Sequence, residues 1–263
     1  MELIIILSLT VILMSKPSFP QKAFKLLIRV EEKHFWFCGR NKTIASAVER
    51  FIKNRNISFL ELGCGTGFVL SYLEKMGFKT TGLDIYPEAL KYARKRTKSR
   101  LISADILKDQ LSERFDAAGL FDVLEHIEDQ AIFLKKTRKL LKKKGMLFIT
   151  VPADQRLWSD SDELSGHKRR YNLSELKEVL ENAGFEIKQL RYFGFFLYLP
   201  LLLTRRYDAK KQLSFQERFS KAYKIPSPPL NYFLNLTFSI ENILSKIFTF
   251  PLGSSIIAVA QKL

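Results

Sequence analysis

The stretch Ile57–Glu74, ISFLELGCGTGFVLSYLE, runs an apolar, β-rich segment into an acid, Glu61, and then into a turn with glycine at alternate positions, Gly63, Gly65 and Gly67. An amphipathic segment resumes at Phe68. A strand feeding a helix through such a turn opens a βαβ unit, and its glycines let the main chain approach a bound molecule closely. A dinucleotide-binding turn wants its third glycine where this chain has Phe68. A triphosphate loop closes on Gly-Lys-Ser/Thr, and no such triplet closes this turn.

Working outward, short β-rich runs alternate with helical patterns, which predicts an α/β fold with a mostly parallel sheet. Strands are expected at Ser58 to Leu62, Lys79 to Asp84, Leu101 to Asp105, Phe115 to Phe121 and Met146 to Val151. Helices are expected at Gly67 to Met76, Pro87 to Lys98 and Gln130 to Lys143, with Gly77 and Gly145 as C-terminal caps and Pro87 at a position needing no amide hydrogen. A polar loop after the fifth strand leads to a helix capped by Ser174 and running to Asn182. Phe185 to Phe193 reads as a sixth strand, and SSIIAVAQKL, from Ser254, as a seventh.

The strand ends carry acids. Glu61 beside the glycine turn suits a cationic amino group better than a pyrophosphate. Asp84, about 20 residues on, can accept both hydroxyls of a ribose. Asp105 and Ile106 offer an acceptor and an apolar wall to an adenine ring. Together these describe a site for adenosine joined to an amino acid.

The runs LELGCGTG, GLDIYPEAL, SADI and FDAAGLFDVLEHI resemble the successive motifs of class I S-adenosylmethionine-dependent methyltransferases, over Glu31 to Gly194 plus the final strand. The resemblance implies a Rossmann-like seven-stranded sheet with S-adenosylmethionine as cofactor. It places Glu61, Gly63, Cys64, Gly65 and Gly67 on the methionine side, Asp84 and Ile85 at the ribose, Asp105 and Ile106 at the adenine, and Phe121 near the sulfonium. EEKHFWFCGRNKTI (Glu31 to Ile44) resembles the N-terminal helical lid of a bacterial subgroup, with Cys38 where relatives often carry a basic residue. His34, Trp36 and Arg40 of that lid either close over the cofactor or pack on the sheet. GHKRRY resembles the GHxRRY loop of the same subgroup. The organisation expected is an apolar arm over 1–20, a core with lid over 21–194, a hydrophobic, basic-flanked insertion over 195–253, and the last strand over 254–263.

Methyl transfer from a sulfonium is an in-line displacement in which the protein aligns the partners and excludes water. A base is needed only where the acceptor bears a proton. His126, just past the fourth strand at the rim of the crevice, suits proton removal from a hydroxyl, so oxygen is the preferred acceptor atom. The alternative is that its LEH triplet packs the following helix. By the resemblance, His167, Arg169, Arg170 and Tyr171 face the acceptor; Trp158, in the same loop, either walls the acceptor pocket or anchors the loop to the core. Paired arginines offer forked donors to phosphate or carboxylate, or else form a solvated basic loop. The only cysteines, Cys38 and Cys64, have no metal-site spacing, so no metal is expected and a reducing compartment fits.

A net charge of +16 calls for an anionic partner, nucleic acid or membrane. FDVLEHI stands where enzymes methylating exocyclic base amines carry Asn/Asp-Pro-Pro-aromatic, and neither cysteine follows proline as carbon-methylating enzymes of cytosine require, so no nucleic-acid partner is expected. FFLYLPLLLTRR and LNYFLNLTFSIENILSKIFTF are apolar and aromatic, with Arg205, Arg206, Lys210 and Lys211 between them. They read as an interfacial anchor on an anionic membrane, or as a helical cap over the acceptor pocket. LIIILSLTVILM (Leu3 to Met14) falls short of a span and reads as a membrane-contacting arm or an upstream translation extension. The expectation is a cytoplasmic enzyme, peripheral at the inner membrane face, acting on a small or lipid-linked acceptor. Two alternatives are a non-catalytic cofactor-binding, membrane-attached partner protein and a nicotinamide-dependent reductase on the same sheet.

Overall fold

The computed structural model describes residues 19–208 and 223–263. In chain order the elements are α1 (Phe24–Val30), α2 (Phe35–Phe51), β1 (Ser58–Leu62), α3 (Phe68–Lys75), β2 (Lys79–Asp84), α4 (Pro87–Ala93), β3 (Arg100–Ser103) and β4 (Phe115–Phe121). There follow α5 (Gln130–Lys139), β5 (Leu141–Pro152), α6 (Asp160–Ser165), α7 (Leu173–Asn182), β6 (Phe185–Phe193), α8 (Phe195–Asp208), α9 (Pro228–Leu244) and β7 (Ser255–Lys262). The apolar run at Leu3 to Met14 and the lysines Lys210 and Lys211 lie outside the described residues.

The strands form one sheet in the order β3-β2-β1-β4-β5-β7-β6, parallel except for β7, which runs antiparallel between β5 and β6. Strand order reverses between β1 and β4, and in open α/β sheets the ligand crevice lies beyond the carboxyl ends at that point. Alternation along β1 splits the core. Leu60 and Leu62 join Leu120 against Leu134, Leu176 and Leu180 of α5 and α7, whereas Phe59 joins Phe148 and Val259 against Ile44 and Val48 of α2. Each fully buried Leu or Phe contributes about 1.5–3 kcal/mol. Together they fix the platform that carries the crevice.

Several boundaries differ from the sequence reading. α4 stops at Ala93 rather than Lys98, because Glu74 draws the chain off the helix by accepting from Thr97 Oγ1 at 2.6 Å and Lys98 N at 3.1 Å. β3 ends at Ser103, which leaves Asp105 in the loop beyond it. α5 ends at Lys139 and Leu141 already belongs to β5, so Gly145 is a strand residue and not a cap; the left-handed residue there is Lys144, at φ 59°. The cap of α7 is Asn172, whose Oδ1 accepts from Glu175 N while Glu175 Oε2 accepts from Asn172 N, both at 2.9 Å. This reciprocal pair outcompetes a lone Ser174. The expected polar loop contains α6, started by a second such box between Ser159 and Asp162.

Candidate active site

The glycine turn folds back on β2. Gly63 N and Cys64 N donate to Leu83 O at 2.7 and 3.0 Å. Gly65 N donates to Asp84 Oδ2 at 2.7 Å, and Tyr86 N to Asp84 Oδ1 at 2.8 Å. All three glycines have left-handed φ, 72°, 53° and 76°. A Cβ on Gly63 would lie 2.6 Å from Val123 Cγ2 and one on Gly67 3.0 Å from Ala93 Cβ, but one on Gly65 would meet nothing within 4 Å. The first and third glycines are therefore demanded by packing, and only Gly65 opens onto free space. Asp84, buried at its strand end, staples the turn from both oxygens, a task the sequence reading did not assign it. Burial raises its pKa against those backbone donors.

Glu61 is buried and its Oε2 has no hydrogen-bond partner. Burial drives its pKa well above the usual carboxylate range, opposed by Arg40 and reinforced by Asp84 and Glu31. An orphaned buried acceptor beside an open glycine is what a ligand ammonium would satisfy. Charged side chains of the N-terminal segment reach this point. Glu31 Oε2 accepts from Thr66 Oγ1 at 2.5 Å and pairs with Arg96, and Arg40 of α2 pairs with Asp122. Asp122 sits at φ 57° just past β4, and its Oδ1 accepts from Thr150 Oγ1 at 2.9 Å. Glu31, Thr66, Arg96 and Asp122 went unrecognised in the sequence; of these only Asp122, flanking a strand end, carried a signal.

The other expected cofactor residues divide. Ile85 is about half exposed beside Asp84, and Phe121 is buried over Gly119 at the end of β4. Cys64 is buried among Leu70, Leu90 and Leu101, with its thiol pKa raised by burial. Asp105 Oδ1 caps Leu107 N at 2.9 Å, and Ile106 lies in the core with Leu60, Leu62 and Leu83.

Beyond β4, a 3-10 turn (Leu124–His126) brings His126 edge-on to His167, with ring centroids 4.8 Å apart. Phe19 also meets His126 edge-on, with ring centroids 6.3 Å apart. Burial, and next the neighbouring His167, push the His126 pKa down to about 4. His167 Nδ1 and Asp162 Oδ1 are 2.9 Å apart, and Arg170 grips the same carboxylate through Nε at 2.8 Å and Nη2 at 3.0 Å. Although burial raises it, Asp162 is held at about 2 by His167 and Arg170. Arg170 and the buried Tyr171, whose hydroxyl donates to Leu124 O at 3.2 Å, thus fasten the loop, while Arg169 and Trp158 stay partly exposed. Glu125 is wholly buried, neither carboxylate oxygen has a hydrogen-bond partner although His167 Nε2 stands 3.9 Å from Oε1, and burial lifts its pKa well above normal. Ligand atoms of Glu125, His126 and His167 lie within 4.8 Å of one another, a donor set able to hold a cation that the expectation of no metal did not foresee.

The insertion has two faces. α9 docks on α2: Phe238 covers Gly39, and Asn231 receives Phe35 N at 2.9 Å while donating to Lys33 O at 2.8 Å. Away from that contact Leu199, Leu203, Tyr232, Phe233 and Ile243 are 60–73% exposed. No described helix is long and apolar enough to cross a membrane.

A family profile described as a methyltransferase domain matches residues 38–190. Over 165 residues the chain is 28% identical to a "Probable S-adenosylmethionine-dependent methyltransferase" of Mycolicibacterium smegmatis, covering 60% of this chain and 62% of that protein. Over 102 residues it is 32% identical to a ubiquinone biosynthesis O-methyltransferase of Pelagibacter ubique, covering 36% and 42% respectively. The chain thus spans under two thirds of the length of either relative. In fold it resembles phosphoethanolamine N-methyltransferase 2 of Haemonchus contortus, crystallised with S-adenosylmethionine, at TM-score 0.54 and 17% identity over 84% of this chain and 52% of that one. With the profile spanning more than half its length, the chain belongs to the S-adenosylmethionine-dependent methyltransferase family, built on the class I fold.

Proposed function

We propose that this chain transfers the methyl group of S-adenosylmethionine to a hydroxyl of a small or lipid-linked acceptor, working as a peripheral protein at the inner, cytoplasmic face of an anionic membrane. The observation that carries the reading is the pairing of Gly65, open to free space, with the orphaned buried oxygen of Glu61. Glu61 and the turn Gly63–Gly67 would hold the amino acid end, Asp84 and Ile85 the ribose, Asp105 and Ile106 the adenine side, with Phe121 at the reacting sulfur. The cofactor supplies an electrophilic methyl group on a good leaving group; the protein aligns the acceptor and keeps water out.

His126 is uncharged at neutral pH and so keeps a lone pair for the acceptor proton, although its low pKa makes it a weak base. His167, Arg169 and Trp158 would face the acceptor, and Arg170 and Tyr171 would hold the loop that presents them. The buried face of α9 accounts for a cap on the lid; the exposed apolar residues of α8 and α9, flanked in sequence by lysine and arginine, favour contact with lipid. On this reading residues 21–194 with 254–263 are the catalytic body, 195–253 the docking insertion, and 1–20 a further arm. Incubation with labelled S-adenosylmethionine and a membrane extract should label an extractable lipid or quinone-type molecule. Cofactor binding with no labelled product from either membrane or soluble extract would instead support a non-catalytic partner protein.

A further inference from the structure

A cavity of about 630 Å³ opens at the carboxyl edge of the sheet, where α7, α8 and the turn after β5 meet, and none of the cofactor contacts above uses it. Its wall includes Arg156, Arg169, Gln130, Tyr192, Tyr198 and Leu252. The charges around it are unevenly committed. Arg170 is bound by Asp162, and Glu175 by its capping bond to Asn172 N. Asp154 is held by Arg156 Nε and Nη2 at 3.0 and 2.7 Å and by the Tyr198 hydroxyl. Among the described residues Arg156 Nη1 has no acceptor. Arg169 turns Nε and Nη1 to Gln130, whose amide oxygen accepts from them, and its Nη2 makes a 3.4 Å bond to Glu128 O and a 4.0 Å approach to the exposed Glu128 carboxylate, so its charge meets two neutral acceptors and one weak ion pair. The acids of the wall are engaged, Arg156 Nη1 is open, and the charge of Arg169 is met mainly by neutral acceptors, so the cavity favours an anion.

The segments that supply Tyr198 and Leu252 also carry exposed apolar side chains. Leu199, next to Tyr198, is 62% exposed and Leu203 68%, while Phe196 packs on Phe250 two residues before Leu252. A basic, tyrosine-lined cavity thus lies next to a helix with an exposed apolar face. The loop that carries Arg169 also carries His167, which meets His126, so one loop connects the cavity to the proposed base.

We infer that this cavity binds the oxyanion head, phosphate or carboxylate, of an amphiphilic acceptor whose apolar chain lies along α8. The inference rests on the methyltransfer reading and narrows its acceptor to an anionic lipid-like molecule.

The test measures tryptophan fluorescence, the only indoles being Trp36 and Trp158, with calorimetry as a second readout. The full chain is titrated with decyl phosphate, inorganic phosphate and decyl maltoside, all below micelle formation. Decyl phosphate should bind at least about tenfold more tightly than either of the others, the gap expected when both a charge-assisted bond and an apolar tail contribute. Arg169→Ala should lose about tenfold for decyl phosphate, with Arg169→Lys recovering part of it. Leu199→Ser should weaken decyl phosphate but leave inorganic phosphate unchanged. Equal binding of decyl maltoside would reduce the site to apolar adhesion, and equal binding of inorganic phosphate to a free-phosphate site. Either result overturns the inference, as does an unchanged Arg169→Ala in a variant that melts like the parent. S-adenosylmethionine binding is measured on the same samples. Cofactor binding without decyl phosphate binding defeats this inference alone, whereas the converse defeats the methyltransfer reading.

Discussion

The glycine turn and the α8–α9 insertion sit at the same end of the sheet and are built on opposite terms. In the turn, Asp84 holds both Gly65 N and Tyr86 N, Leu83 O holds two amides, and two of three glycines would clash if they gained a methyl group. Its conformation is set several times over. In the insertion, one face of α9 is fastened to the lid by Asn231, Asn242 and Phe238, and the other face leaves large apolar side chains uncovered. A region whose backbone is fixed and which keeps one orphaned acceptor, Glu61 Oε2, is ready for a small ligand; one with a bare apolar face is suited to a larger partner.

This contrast can be broken in order of expected effect. Gly65→Val places a branched side chain at φ 53° in the one open position of the turn, and should cut S-adenosylmethionine affinity about a hundredfold by calorimetry. Unchanged affinity would move the ligand elsewhere. Gly39→Val drives a side chain into the Phe238 ring, which a Cβ already approaches to 2.4 Å, and should cost about 1–3 kcal/mol by denaturant melt. Full stability would mean that α9 is not seated on the lid. A smaller effect concerns pH. Because the folded pKa of His126 is depressed to about 4 from 6.5, the unfolded chain binds the proton more readily, so its share of stability is complete above pH 6.5 and drains away as pH falls toward 4. Allowing for the ring's partial exposure that share is about 2 kcal/mol, and His126→Asn should flatten the fall in melting temperature between pH 7 and 4.5. An unchanged acid limb would assign the fall to other groups. Smallest of all for the fold, Tyr232→Ser with Phe233→Ser should shift stability by under about 0.5 kcal/mol, yet release the protein from anionic vesicles in a flotation assay. Retained flotation would remove the lipid assignment from this face.

Much of this architecture was legible beforehand. β1, β2, β4 and β6 begin and end where β-rich runs and turn residues put them; the central β4 is an apolar run between breakers because it is buried on both sides, whereas the edge strand β6 mixes buried and exposed positions. Boundaries failed where a distant side chain intervened: Glu74 capturing Thr97 and Lys98, or Asn172 and Glu175 closing a box ahead of Ser174. At the site, Glu61 and the glycines were readable from their place after a strand. The ion pair of Arg40 with Asp122 was not, since 82 residues separate its members. Nor was the cluster of Glu125, His126, His167, Asp162 and Arg170, which the turn after β4 and the α6 segment with its following loop assemble.

By itself the sequence determined the α/β class, the crevice at the strand ends and the acids beside it, because alternation, glycine conformation and strand-end position are local properties of a chain. Only the tertiary structure decided which carboxylates are spent on the protein and which are left over. Asp162 is spent on His167 and Arg170, and Asp84 holds two amides with lone pairs left for a ribose, whereas Glu61 Oε2 and both Glu125 oxygens have no hydrogen-bond partner. That distinction depends on what burial places within hydrogen-bonding reach, and reach is set by packing between segments far apart in the chain.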